Sequence, residues 1–361
     1  MDLLVLDADF KPLGVVDTFV SLTWDRSYYK VGSFSLATDM HYYDLLRAGQ
    51  YLYRNDAQEL GLLQGFSYRQ DARTETIEAE GQFLEAILGD RVIEKTKDLK
   101  GTPEEISRQL VTDYCIAPAD TARKMPRVKL GALQGLGTSI TAQCTGATVL
   151  EEIQEMCQTQ ELAAALLYDY QKDEIEFTVW QGKDRTQEQT TNTWATFSRS
   201  METLISSEYD SDVSKFKNFA YVAGEGEGTA RTVVQVDCTN GEERRELYVD
   251  ARDLQRTVDG ATMSAVDYAK VLTQRGLEKL NAYNRVESFN ASIDPHSVLQ
   301  YKKDYDLGDV CTVVYDSLNL VVEKRIETIR ETHTAAGLSL VVTFGKDYLS
   351  LGQAIKREVT K

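Results

Sequence analysis

Near the end of the chain Leu338, Leu340, Val342 and Phe344 alternate with Ser339, Val341 and Thr343. Successive side chains of an extended strand point to opposite faces, so this spacing gives a strand one strongly apolar face that a sheet has to cover. The same alternation occurs at Gly32-Ser33-Phe34-Ser35-Leu36, inside a first stretch of about eighty residues rich in Tyr, Leu, Val and Phe and cut by turn residues every few positions. Both ends of the chain are therefore predicted to be β-structure.

The period changes in the middle. Thr102-Pro103-Glu104-Glu105 provides a capping threonine, proline at the first helical position and glutamate three residues after the cap, and Ile106, Leu110 and Tyr114 follow at helical spacing. Thr148-Val149-Leu150-Glu151 repeats the pattern before Ile153 and Cys157, and residues 166–168 and 175–180 read as strands joined by a turn at Gln171-Lys172-Asp173. Strands are then expected at 218–223, 232–237 and 246–250, separated by Gly224-Glu225-Gly226-Glu227-Gly228 and by Thr239-Asn240-Gly241, whose Asn-Gly pair signals a hairpin. Ser264 caps one more helix, with Ala265, Ala269, Leu272, Gly276, Leu280 and Tyr283 on one face. The expected class is α+β and β-rich, in four parts: 1–80, an α+β module at 81–190, a β-hairpin and helix connecting module at 191–284, and 285–361. With five prolines and no Gly/Ser/Pro-rich tract, short connections join these parts.

Charge and cysteine usage exclude several classes. Asp and Glu number 57 against 40 Lys and Arg, a net charge of −17, which argues against a surface that grips phosphate through counterion release. The five cysteines, Cys115, Cys144, Cys157, Cys238 and Cys311, are odd in number and widely spaced, so free thiols are expected rather than a disulfide framework or a CxxC metal site. The longest apolar runs, at 1–6 and 162–168, fall well short of the roughly 20 residues that cross a bilayer. The amino-terminal Met-Asp-Leu-Leu-Val-Leu-Asp carries an acid where a secretory signal carries positive charge, so the chain is expected to be made in a cytosol, with no membrane segment.

No stretch supplies a catalytic, cofactor-binding or metal-binding set. The cluster Gly224 to Gly228 lacks the Lys-Ser/Thr of a phosphate loop and carries two glutamates, so it reads as a long hairpin loop. Asp304-Tyr305-Asp306-Leu307-Gly308-Asp309 displaces the third acid of a calcium loop and lacks the closing glutamate, so it reads as a turn entering a strand at 310–315. His41, His296 and His333 stand far apart in no recognised catalytic context, and the 19 tyrosines suit strands as well as sugar stacking. In Arg244-Arg245-Glu246-Leu247-Tyr248-Val249-Asp250-Ala251-Arg252-Asp253-Leu254-Gln255, alternation makes Asp250 a strand end and puts Asp253 in the turn or helical start that follows, where acids favour the exposed amides. Both acids are expected to be structural, with Arg252 paired to a neighbouring carboxylate.

Four motifs in one order carry a resemblance. Trp24-Asp25-Arg26-Ser27-Tyr28-Tyr29-Lys30-Val31-Gly32-Ser33-Phe34-Ser35-Leu36, Gly81-Gln82-Phe83-Leu84-Glu85-Ala86-Ile87-Leu88, Lys217-Asn218-Phe219-Ala220-Tyr221-Val222-Ala223-Gly224-Glu225-Gly226-Glu227-Gly228 with Arg231, and Tyr248-Val249-Asp250-Ala251-Arg252-Asp253-Leu254 resemble the ReqiPepy-like family of siphovirus tail proteins. Leu307-Gly308-Asp309-Val310 followed by Arg325-Ile326-Glu327 is similar to the second barrel of tail-hub proteins.

The resemblance implies a non-catalytic hub in the virion, at the phage tail tip, assembled in the bacterial host cytoplasm. Each chain would contribute two similar β-barrels, one largely within 1–80 and one drawn largely from 285–347, with the α+β module inserted between. A homotrimer would then present six barrels to the hexameric tail tube. It would also contact the distal tail protein and the tip or fibre subunits, while DNA passes through its channel without specific binding. Larger relatives carry a carboxy-terminal fibre or peptidoglycan-cleaving extension; here residues 349–361 read as a short helix-like tail, which favours a compact hub. The reading from another class is a carbohydrate-binding host-adsorption protein, which requires an exposed aromatic platform. A hydrolase would need a cleft with a perturbed acid pair.

Overall fold

The computed structural model describes residues 1–70, 74–258, 260–318 and 320–345, so the helix-like reading of 349–361 lies outside the described residues. The protein is mostly β with α+β content. Its chain divides into two compact units. Unit 1 comprises Met1–Gln181, Lys217–Ala282 and Thr332–Gly337, and unit 2 comprises Gly182–Phe216, Tyr283–Glu331 and the residues from Leu338 onward.

In unit 1 the amino-terminal part forms two antiparallel sheets. Leu3–Leu6 lies between Pro12–Val16 and Tyr51–Arg54, and Leu60–Leu62 extends the second side. Ser21–Ser27, Ser33–Thr38, Glu75–Gln82 and Gly65–Gln70 follow one another in the other sheet. Their apolar faces share one core: Leu3 and Val5 from the first sheet meet Leu22, Trp24, Phe34, Leu36 and Ile77 from the second, and helix α1 (Tyr43–Ala48) adds Leu46. The fully buried Trp24 ring has Phe83 at 4.6 Å and Phe34 at 5.7 Å between centroids. A Cβ at Gly81 would stand 1.6 Å from the Leu62 carbonyl, so glycine is what lets the two sheets approach there. Among the described residues the ladders close no continuous barrel, in this part or in unit 2.

The α+β part follows its local signals closely. Helix α2 (Pro103–Val111) opens with a reciprocal capping box: the Glu105 amide donates to Thr102 Oγ1 at 3.2 Å, and the Thr102 amide donates to Glu105 Oε2 at 2.8 Å. Ile106 and Leu110 are buried, and Tyr114 sits in a π-helical turn, Thr112–Ile116, that succeeds the helix. Helix α3 (Val149–Thr159) repeats the box at Thr148 and Glu151 and buries Ile153 and Cys157. Ala163–Asp169 and Glu174–Trp180 pair antiparallel across a turn in which Asp173 takes φ 51°, and Val128–Leu130 adds a parallel strand. Ile140–Cys144 pairs with Lys97–Gly101.

The third part of unit 1 departs from the expected connectivity. The glycine cluster does link an antiparallel pair, Phe219–Ala223 with Val233–Asp237. Asn240 and Gly241 adopt the left-handed turn conformation, with φ 49° and 88°, yet the strands on either side of them do not pair. Instead Glu246–Asp250 runs parallel to Phe219–Ala223, which takes the centre of the sheet. The turn sets a local change of direction, whereas burial sets the pairing, and Phe219–Ala223 is the most buried of the three strands. Helix α4 (Ala265–Asn281) lies on this sheet; a Cβ at Gly276 would come within 2.7 Å of Val222 and Val236, which explains glycine at the contact. Its buried apolar face is Tyr268, Val271, Leu272, Gly276 and Leu280; of the expected stripe Leu272, Gly276 and Leu280 lie on that face, whereas Ala265 is exposed, Ala269 is half-buried and Tyr283 falls beyond the end of the helix.

Unit 2 orders its strands as Leu204–Asp212, Val286–Ile293, Gly337–Gly345 and Leu320–Thr334, the last also pairing with Val310–Tyr315, which in turn carries Thr196–Phe197 in parallel. Leu340, Val342 and Phe344 point inward as their alternation requires, with Phe344 against Phe197 at 4.9 Å, and Leu338 lies exposed at the strand start.

Candidate functional site

The acids at the end of Glu246–Asp250 turn to different partners. Arg231, from the loop after the glycine cluster, donates from Nη2 to Asp250 Oδ1 at 2.5 Å, and Arg252 donates from Nε to Oδ2 at 2.9 Å. Arg231 also donates to the carbonyls of Ala223 (2.8 Å) and Gly224 (2.9 Å) and to the Tyr248 hydroxyl (3.0 Å). One guanidinium thus fastens the hairpin loop to the parallel edge strand. The Asp250 carboxyl is held down to about 2, first by the hydrogen bond from Arg252 and then by that from Arg231. Asp253 faces the other way, where Arg275 Nη1 of α4 lies 2.9 Å from its Oδ2. The two carboxylates therefore form no acid/base pair.

Behind Asp253 lies a cluster that the sequence patterns did not reveal. Glu278 accepts from Gln274 Nε2 at 2.9 Å and has Arg275 Nε at 3.8 Å. Across the seam, Glu152 of α3 hydrogen-bonds the Cys144 thiol, and Lys279 lies 3.4 Å from Glu155. Glu152 and Glu278 are each only 9% exposed, so this perturbed acid pair sits in a helix seam rather than an open cleft. Burial is the first cause of the shifts: it raises Glu278 to about 7, and it raises Glu152 and the Cys144 thiol. The signal available in the sequence was Gln274 and Glu278 at i, i+4 beside the apolar stripe.

In unit 2 the turn weighed as a calcium loop is a buried ion-pair corner. Arg185 Nε donates to Asp309 Oδ2 at 2.5 Å, with side chains 9% and 5% exposed. Asp309 also accepts from the amides of Lys183 (2.8 Å) and Asp306 (3.1 Å), and Arg325 donates to the Gly308 carbonyl at 2.6 Å. Asp304 and Asp306 accept instead from the amides of Gln300 and Leu307, so the acids of the turn do not converge. Among the described residues no group of three or more His, Cys, Asp or Glu could hold a metal ion, and no helix is long and apolar enough to cross a membrane.

One exposed aromatic ring stands on the three-stranded sheet. Val222 faces α4, so Tyr221 and its register neighbour Tyr248 face away from it. Arg244 lies over Phe219 and Tyr221, 3.2 and 5.4 Å from the ring centroids, which leaves the 61% exposed Tyr248 as the uncovered ring.

A family model described as Siphovirus ReqiPepy6 Gp37-like protein matches residues 2–346. The chain belongs to this Gp37-like family. Three solved structures share the fold of the Gp37-like chain over nearly all of its length. Prophage tail protein gp18 from Listeria monocytogenes EGD-e has a TM-score of 0.58 at 11% identity, covering 99% of this chain and 98% of that one. The 43 kDa tail protein of prophage MuSo2 from Shewanella oneidensis has a TM-score of 0.57 at 11% identity, with 96% and 98% covered. A tail protein from Neisseria meningitidis MC58 has a TM-score of 0.55 at 12% identity, with 96% of each chain covered. No curated protein matches. At such low identity these likenesses concern architecture, and the Gp37-like fold is that of prophage tail proteins.

Proposed function

We propose that this Gp37-like protein is the structural hub of a siphovirus-type tail tip: a homotrimer that joins the hexameric tail tube to the distal tail protein and the tip or fibre subunits. The observation that carries the reading is the extent of the likeness to the Listeria prophage tail protein, 99% of one chain on 98% of the other, which is whole-chain architecture rather than a borrowed module. A threefold hub meets a sixfold tube when each subunit offers two equivalent contacts. Residues 1–80 and 285–347 are the two regions that would offer them, each as a barrel, with the α+β module between.

DNA then passes through the channel without being held. Three chains bring −51 charges (3 × −17), spread over all surfaces and screened beyond about 8 Å at physiological salt, so only the residues lining the bore act on the DNA. The role is non-catalytic, in the virion, with assembly in the host cytoplasm. Cryo-electron microscopy of the assembled tip tests it: a threefold hub with an acidic or neutral bore is expected, and sixfold or absent symmetry, or a bore lined by Lys and Arg, would overturn it.

The exposed Tyr248 favours one second reading, host adsorption through carbohydrate. Saccharide binding by the isolated chain that is lost in Tyr248→Ala would support that reading instead.

A further inference from the structure

The segment Lys217–Ala282 joins the rest of unit 1 through a polar seat. Gln143, on Ile140–Cys144, donates from Nε2 to the Gln255 carbonyl at 2.8 Å, and the Gln255 amide donates back to Gln143 Oε1 at 2.7 Å. Along α4 the seat is a charge cluster. The acids facing it are Glu152 and Glu155 from α3, Asp253 from the turn before α4, and Glu278 from α4 itself; the bases are Arg275 and Lys279. Ile140–Cys144 contributes the Cys144 thiol, and the three-stranded sheet contributes apolar Val222 and Val236 against Gly276. Lys279 lies beside Glu155, and Arg275 directs Nη1 to Asp253. Arg275 Nε stays 3.8 Å from Glu278, and Arg275 and Lys279 both act on Glu152, yet burial outweighs these bases at both carboxylates. Two ionised carboxylates in a desolvated seam are costly, and binding a proton removes that cost.

We propose that this seat is a proton-dependent clamp: the Glu152–Glu278 pair holds a proton while α4 is seated and releases it as pH rises, loosening α4 and the sheet it covers. The direction follows from linkage. Glu278 stands at about 7 in the folded chain against 4.5 for a free glutamate. Between those values the seated form binds more protons than the open form, so the seat weakens as pH rises through the window and weakens no further above it. One linked proton raises the opening equilibrium by up to about tenfold per pH unit in that window.

The test is hydrogen exchange of α4 amides in the full chain from pH 5 to 8, corrected for the intrinsic pH dependence of exchange. A local readout is needed because Glu85, raised to about 8 first by burial, gives the whole chain a slope of the same sign. Wild type is expected to open about 10- to 100-fold more at pH 7.5 than at pH 5. Glu278→Gln or Glu152→Gln, which keep the shape of the protonated acid, should flatten the profile and protect α4 at pH 7.5. A flat wild-type profile, or an undiminished slope in both variants, would overturn the clamp. So would failure of both variants to fold, because the clamp requires the neutral form to be the seated one.

Discussion

Replacing Asp309 with asparagine leaves the size of the side chain almost unchanged, removes its charge and turns one of its two accepting oxygens into an N–H donor. The partner, Arg185, remains ionised and is 9% exposed, with its remaining contacts to the Lys303 and Thr193 carbonyls at 3.4 and 3.5 Å. Breaking a buried pair in this way costs about 3–5 kcal/mol, chiefly because the surviving charge stays out of water. Little relaxation is available, since a Cβ at Gly182 would already lie 1.9 Å from the Gly308 carbonyl, which keeps the two backbones in contact. Arg185→Met should cost a comparable amount. The double variant Arg185→Met/Asp309→Asn should cost less than the sum of the singles by about 2 kcal/mol or more, because no unpaired charge is left behind. Urea unfolding of all four proteins at neutral pH gives the cycle, and hydrogen exchange of Val310–Tyr315 assigns the loss to unit 2. A single-variant loss below about 1 kcal/mol, or strict additivity in the cycle, would refute the argument that this corner is held by a desolvated pair.

Trp24→Ala, which empties the centre of the amino-terminal core, is expected to destabilise by about 3–5 kcal/mol in the same unfolding assay, with Trp24→Phe costing clearly less. Gly81→Ala has no room beside the Leu62 carbonyl and should be as severe as a core deletion, measured as a drop in melting temperature. Arg231→Ala should destabilise more than Asp250→Asn, because the arginine also binds two backbone carbonyls and a tyrosine hydroxyl. The stability from Asp250 is present above the free carboxyl's 3.8 and lost as pH falls through about 2, so acid titration of Asp250→Asn should lack that component. Asp250→Asn/Asp253→Asn should leave divalent-cation binding, followed by calorimetry, no different from wild type.

What the sequence determined unaided was whatever depends on residues a few positions apart. The capping boxes at Thr102 and Thr148 were legible because cap and partner are separated by three residues, and a side chain reaches that far whatever the rest of the chain does. Alternation marked Gly337–Gly345 and Glu246–Asp250 as strands for the same reason, and Asp250 as the end of one. The order of four motifs along the chain is itself enough to point to the family. Pairing lay beyond that range: Asn240-Gly241 does turn, but only the burial of Phe219–Ala223 made it the centre of the sheet and Glu246–Asp250 its parallel neighbour. The charged interior was equally hidden. Asp309 read as part of a turn, and no local pattern singled out Glu152, Arg275, Glu278 or Arg185, because desolvation is imposed by segments distant in sequence and only the tertiary structure brings those segments together.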